Sequence, residues 1–224
     1  MTWELKNTLK EIVAQESGAQ VFARGVRRPV AFIYPNTYHV GMSNLGLHIL
    51  YQLINSRGDA ACERFFLPDN KLLAAYKRSK TPLLSLETQQ PLADFDIICV
   101  MMSFEMDYTN LLTMLSMSHV KLEAAARGEK EPLVIIGGPC ATFNPEPLAA
   151  VADAFIIGEG EETVEVLLDT IYGLQDKGLK KAEILLALAQ QPGIYVPRFY
   201  KPQYDADGAF CAMQASPDVP VKVK

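Results

Sequence analysis

Four short stretches of this chain carry residue types able to hold or act on a ligand. Thr37-Tyr38-His39-Val40-Gly41-Met42 offers an imidazole, which can ligate a transition metal or carry a proton near neutral pH. Ser103-Phe104-Glu105 offers a hydroxyl and a carboxylate, and Gly137-Gly138-Pro139-Cys140 sets a thiol beside backbone that lacks Cβ atoms. Gly158-Glu159-Gly160-Glu161-Glu162 joins two glycines to a run of carboxylates, the residue type used for acid–base work. Each stretch also has a purely structural reading. His39 reads first as a satisfied or solvent-facing loop histidine. The glutamates suit the first turn of a helix, where negative charge meets the positive end of the dipole. Cys140 has no neighbouring His or Lys in sequence to lower its pKa, so packing explains it better than nucleophilic chemistry. No residue is assigned a catalytic role.

Other common chemistries are excluded by what the chain lacks. Cys62, Cys99, Cys140 and Cys211 form no CxxC or CxxxCxxC group, so neither a disulfide framework nor a self-contained metal site is expected. Cys62 and Cys99 lie in apolar runs and read as small core residues. The place where a dinucleotide fold carries G-x-G-x-x-G holds PNTYHVGMSNLG, and no G-x-x-x-x-G-K-[ST] occurs. His48 and His119, on and after helical stretches, read as surface residues. Met42, Met101, Met102 and Met106 gather near the same loops and suit either an adaptable apolar rim or ordinary packing.

The segments between these stretches decide how they are positioned. Residues 133–136 and 154–157 are short β-branched runs that stop at glycines and give way to helix-forming sequence, as buried parallel strands do at a ligand crevice. Strands are likewise expected over 29–34, 60–67 and 96–102, with a short extended piece over 83–86 that suits pairing at an edge. Helices are expected over 1–13, where Leu5, Leu9, Ile12 and Val13 have helical spacing, and over 45–55, 71–80, 108–118, 161–172 and 182–190. This alternation predicts an α/β, Rossmann-like, doubly wound and mainly parallel five-stranded sheet with right-handed crossovers. The carboxyl ends of its strands would carry the loops 36–45, 103–107, 137–143 and 158–161. Beyond residue 190 the character changes: 194–204 and 209–213 read as a β-hairpin joined at Asp205-Ala206-Asp207-Gly208. The alternating stretch 218–224 has no cap or closing helix, the pattern of a chain cut before a further domain.

With 224 residues, 49% apolar and 21% charged, the chain can bury one good core and a small appendage. A net charge of −5 and the absence of a basic stripe argue against nucleic acid or an anionic membrane surface as partner. The longest apolar runs, such as that over 97–102, are too short to cross a bilayer, and the charged start MTWELKNTLKEIV is not a signal peptide; a cytoplasmic location is expected.

Three segments together resemble a known family: YPNTYHVGMSNLGLHILYQLIN, DFDIICVMMSFEMDYTNLL and PLVIIGGPCATFNPEPLAAVADAFIIGEGEETV. They are similar to the cobalamin-binding-type N-terminal domain of radical S-adenosylmethionine (SAM) proteins, the GGP…NPEPL…D-FIIGEGEE string being the most specific part. The resemblance implies cobalamin as cofactor, with contacts from Tyr38, His39, Gly41, Met42, Ser103, Phe104, Glu105, Gly137, Gly138, Pro139, Gly158, Glu159 and Gly160. It puts Ser103 and Gly137-Gly138 where such domains admit the buried nucleotide tail of the corrinoid; tight strand-to-helix turns account for these residues as well. Corrinoid domains that supply their own lower cobalt ligand carry D-x-H-x-x-G. Here the Asp position is Thr37 and the glycine comes one residue early, so His39 as a cobalt ligand would lack its orienting carboxylate.

The resemblance further implies a partner domain in the same full-length chain, bearing CxxxCxxC, that holds a [4Fe–4S] cluster and cleaves SAM. That motif is not in this sequence, so radical chemistry is not expected of these residues alone. The domain division that follows is 1–190 for the cobalamin-binding-like unit with its first helix, and 191–224 for a hairpin and linker toward the radical domain. A second reading keeps the fold without the cofactor: a degenerate domain that docks a partner or recognises a substrate. A free-standing flavodoxin-like or nucleotide-binding protein is a third, weakened by the missing phosphate loop.

Overall fold

In a computed structural model that describes residues 2–223, the chain forms one six-stranded sheet flanked by helices, and a separate two-stranded hairpin. The sheet strands are β1 (Arg28–Tyr34), β2 (Ala60–Phe66), β3 (Ile97–Met101), β4 (Leu133–Gly137), β5 (Ala154–Ile156) and β6 (Ile194–Tyr195), in the spatial order β2-β1-β3-β4-β5-β6. β1 to β5 are parallel, as the strand–helix alternation predicts, and β6 adds an antiparallel edge through Phe155 opposite Tyr195. Ile33, Ile98, Val134 and Ile136 are wholly shielded from solvent. Burial on both faces explains why these strands read as continuous apolar runs, and each such side chain contributes roughly 1.5–3 kcal/mol.

The helices are α1 (Thr2–Ala14), α2 (Tyr38–Met42), α3 (Leu45–Ser56), α4 (Asn70–Ser79), α5 (Tyr108–Met117), α6 (Pro139–Phe143), α7 (Gly160–Gln175) and α8 (Lys181–Ala189). Met1, included in the expected first helix, and Lys224, in the expected last extended stretch, lie outside the described residues. The Asn44 side chain caps α3 by accepting from the Leu47 amide at 3.1 Å, and the helix buries Leu47, Tyr51 and Ile54. Chain order runs from β1 outward to β2, then back across β1 to β3 and onward. Strand order therefore reverses between β1 and β3, and right-handed crossovers put α3 on the face opposite the connections that run the other way. α7 packs beside α3 there.

Two expectations need correction and one is met. The expected strand over 194–204 is split: Ile194 and Tyr195 join the main sheet, a turn begins at Pro197, and only then does β7 (Tyr200–Tyr204) pair with β8 (Phe210–Ala215). Proline has no amide hydrogen to continue a ladder, which accounts for the break. The piece over 83–86 does pair at an edge, as expected: Leu84 bridges to Pro91, and Leu86 with the residue after it covers the outer edge of β2. Leu86 donates to the Arg64 carbonyl at 2.9 Å, and Glu87 Oε2 accepts from the Arg64 amide at 2.6 Å. Residues 218–223 form no strand; Val219 is buried, and the Pro220 carbonyl accepts from the Tyr200 hydroxyl at 2.7 Å.

Candidate functional site

A cleft of about 390 Å³ opens at the carboxyl ends of β3, β4 and β5, roofed by α3 and α7. Its sheet wall is Phe32, Cys99, Ile135 and Ile156, and its helical wall is Leu50, Ile54 and Val164. The rim carries Gly137, Gly138, Pro139, Thr142, Gly158, Glu159, Gly160 and Glu161. No Lys, Arg or His lines it. An apolar slot with carboxylates and no cation at its mouth is a poor seat for a pyrophosphate and a good one for a flat apolar group.

Gly138 shows why the rim needs glycine. Its φ is +101°, and a Cβ there would stand 2.8 Å from the Met102 carbonyl oxygen. That carbonyl accepts from the Cys140 amide at 3.2 Å, while the Met102 amide donates to the Gly137 carbonyl at 2.8 Å. The end of β4 is thus stitched against the end of β3 at van der Waals distance, which a side chain would prevent. The second glycine loop is held to the first by the Gly158 amide, which donates to Thr142 Oγ1 at 3.1 Å.

The expected site residues do not all meet. Gly137, Gly138, Pro139, Gly158, Glu159 and Gly160 line this cleft. Ser103 follows β3 beside Gly138 without lining it; its hydroxyl is buried and has no hydrogen-bond partner. Phe104 and Glu105 are exposed on the same loop. Tyr38 and His39 line a different cleft of about 240 Å³, between α1, α4 and β2. Gly41 is buried, and a Cβ there would come within 2.4 Å of the Phe66 ring, so its glycine serves packing. Met42 Sδ lies 3.2 Å from Arg64 Nη1. His39 itself is exposed.

Of the expected methionine rim, Met101 lines the first cleft and Met106 is 85% exposed, whereas Met102 is core. His119 is exposed as expected, but His48 is half-buried, its Nε2 2.8 Å from the Met42 carbonyl. Cys62, Cys99 and Cys140 are buried; burial pushes all three thiols up, Cys99 to about 12, which suits packing and opposes nucleophilic use. Among the described residues no group of three or more His, Cys, Asp or Glu could hold a metal ion, and no helix is long and apolar enough to cross a membrane.

Two polar clusters escaped the sequence reading. In the first, Arg64 is buried in mid-strand and bonded at 2.6 Å to both Glu87 and Glu16; it lies over the Tyr51 ring, and Tyr38 donates to Glu16 at 2.8 Å. Desolvation, opposed by Arg64, pushes the Glu87 carboxyl up to about 7. The charged pair Glu63-Arg64 inside an apolar strand was the available signal. In the second, Asp107 Oδ1 accepts from Asn36 Nδ2 at 2.8 Å and from Asn110 Nδ2 at 3.0 Å, tying the loops after β1 and β3 together across the reversal point. Burial raises the Asp107 carboxyl against the lowering effect of both amides. The Asp-x-x-Asn spacing at a helix start was its only trace in sequence.

Fold and cleft together define a doubly wound α/β domain with a crevice above its parallel strands. A family model described as radical SAM proteins, N-terminal, matches residues 46–197, and the chain belongs to that family. It is also 27% identical over 161 residues to the uncharacterized protein MJ0966 of Methanocaldococcus jannaschii, a match covering 69% of this chain and 30% of that protein. The chain thus spans less than a third of that relative's length. No solved structure matches it.

Proposed function

We propose that this domain holds a corrinoid, cobalamin by preference, and presents it to a radical SAM domain of the same polypeptide. The observation that carries the reading is the cleft between α3, α7 and the sheet. It is apolar along its depth, open at a glycine rim, and free of cations. An aromatic nucleotide tail with a single phosphodiester suits such a slot, while a polyphosphate does not. The fit extends to the orphaned Ser103 hydroxyl beside Gly138, which would gain a partner from the tail. Gly137, Gly138, Pro139, Gly158, Glu159 and Gly160 would form the mouth. His39 belongs to another cleft, so the lower cobalt ligand is not expected from this chain. The bound cofactor would supply methyl-transfer or one-electron chemistry to the partner domain, which would bring SAM and the [4Fe–4S] cluster. Cytoplasmic residence accords with this chemistry.

A direct test mixes the purified protein with hydroxocobalamin, removes free ligand and records the visible spectrum. Retention near one equivalent supports the reading, and the absorption bands should be unchanged in His39→Ala. No retained corrinoid would overturn it. That result favours the second reading, a cofactor-free docking or substrate-recognition domain. Its own support is the exposed apolar set Val40, Leu45, Phe104, Met106 and Phe143 on the loops and short helices that follow β1, β3 and β4.

A further inference from the structure

Asp107 precedes α5 at the position where an aspartate ordinarily caps a helix, yet its side chain caps nothing. Both Asn36 and Asn110 donate to Oδ1 instead. Asn36 cannot offer the reverse orientation, because its own Oδ1 accepts from the Thr37 amide at 2.8 Å. Oδ2 is left buried with no partner, on a residue only 2% exposed, and no described cation pairs with it. Four buried side-chain polar atoms lack partners among the described residues, and two of them, Ser103 Oγ and Asp107 Oδ2, belong to the loop that closes β3. Between them Phe104 and Met106 stand exposed. A buried carboxylate oxygen without a donor is costly, and two such orphans beneath an exposed apolar loop at the reversal point of the sheet mark a place built for an absent group.

We infer that Asp107 Oδ2 accepts a hydrogen bond from an N–H of the ligand, which on a corrin is a peripheral primary carboxamide. The inference rests on the corrinoid reading above and adds to it a residue of the loop after β3, beyond the lining of the cleft itself, that the resemblance did not supply. Asp107→Asn tests it. With Oδ1 still accepting from the two asparagines, the new amide nitrogen must occupy the Oδ2 position and turn a donor toward the ligand's donor. The same variant is isosteric with a protonated aspartic acid, so an acid present only for packing would tolerate it.

The experiment titrates wild type and D107N with hydroxocobalamin, follows the visible spectrum for Kd, and melts both proteins without ligand. The expected result is a Kd weakened about tenfold or more, with a melting temperature equal to or above wild type because a desolvated charge is gone. Equal affinities would overturn the inference and leave the corrinoid reading standing. A D107N protein that melts well below wild type would mark the carboxylate as structural and overturn it too. Wild type that retains no corrinoid overturns the underlying reading, and the inference falls with it.

Discussion

At the scale of single residues, the two decisive positions are a glycine and an arginine. Gly138 combines a left-handed backbone with a carbonyl oxygen 2.8 Å from where a Cβ would lie. Gly138→Ala should cost ~1–3 kcal/mol through strain and a forced shift of β3 against β4, read as a lower urea midpoint; an unchanged midpoint would mean the rim adjusts freely. Arg64→Ala should cost about 3–5 kcal/mol because it leaves Glu16 and Glu87 buried without their cation. The pH dependence follows from Glu87. Burial raises its carboxyl from 4.5 to about 7 in the folded protein, so the folded state holds the proton more tightly than the unfolded chain. Its contribution to stability is complete below pH 4.5 and is lost as pH rises through about 7. Removing the guanidinium raises that carboxyl further, so Arg64→Ala should be more damaging at pH 8 than at pH 5. Equal losses at both pH values in denaturant titrations would refute the assignment.

At the scale of elements, the five parallel strands were legible because each is a short apolar run bounded by glycine, proline or a charged turn. Residues 97–101 and 133–137, short and rich in β-branched side chains, gave the clearest signal. β6 was not legible: two residues give no period, and a neighbouring run of β-formers made them look like the start of the hairpin. The crevice was legible only in part. Glycines announce the rim, but the depth of the slot depends on how α3 and α7 lie together, and the Asn36–Asp107 link depends on loops distant in sequence. The hairpin was readable from Asp205-Ala206-Asp207-Gly208, where Asp205 Oδ1 accepts from the amides of Asp207 and Ala209. β7 and β8 expose most of their residues on both faces, in contrast to β1, β3 and β4. Their amides should exchange with deuterium orders of magnitude faster than those of the central strands. Comparable protection would show the hairpin to be part of the cooperative core.

At the scale of the whole molecule, apolar exposure is uneven. Phe143, 87% exposed, joins Met106, Phe104, Leu45 and Val40 on loops and helices around the carboxyl ends of the strands, while the opposite ends of β1 and β4 are tied by ion pairs such as Arg28–Asp176 and Arg127–Asp153. Replacing Met106 and Phe143 together by Ser should change stability by less than about 1 kcal/mol, since neither is packed. Binding of a fluorescent apolar dye should fall in the same variant, and undiminished fluorescence would locate the adherent surface elsewhere. The covering of β2 by residues 84–90 matters beyond the domain itself. One margin of the sheet is already occupied by its own chain, and the other ends in a strand two residues long. The main sheet therefore offers a neighbouring copy little free ladder to extend, and backbone pairing between molecules falls to the exposed two-stranded hairpin, which can change without disturbing the layer that forms the crevice.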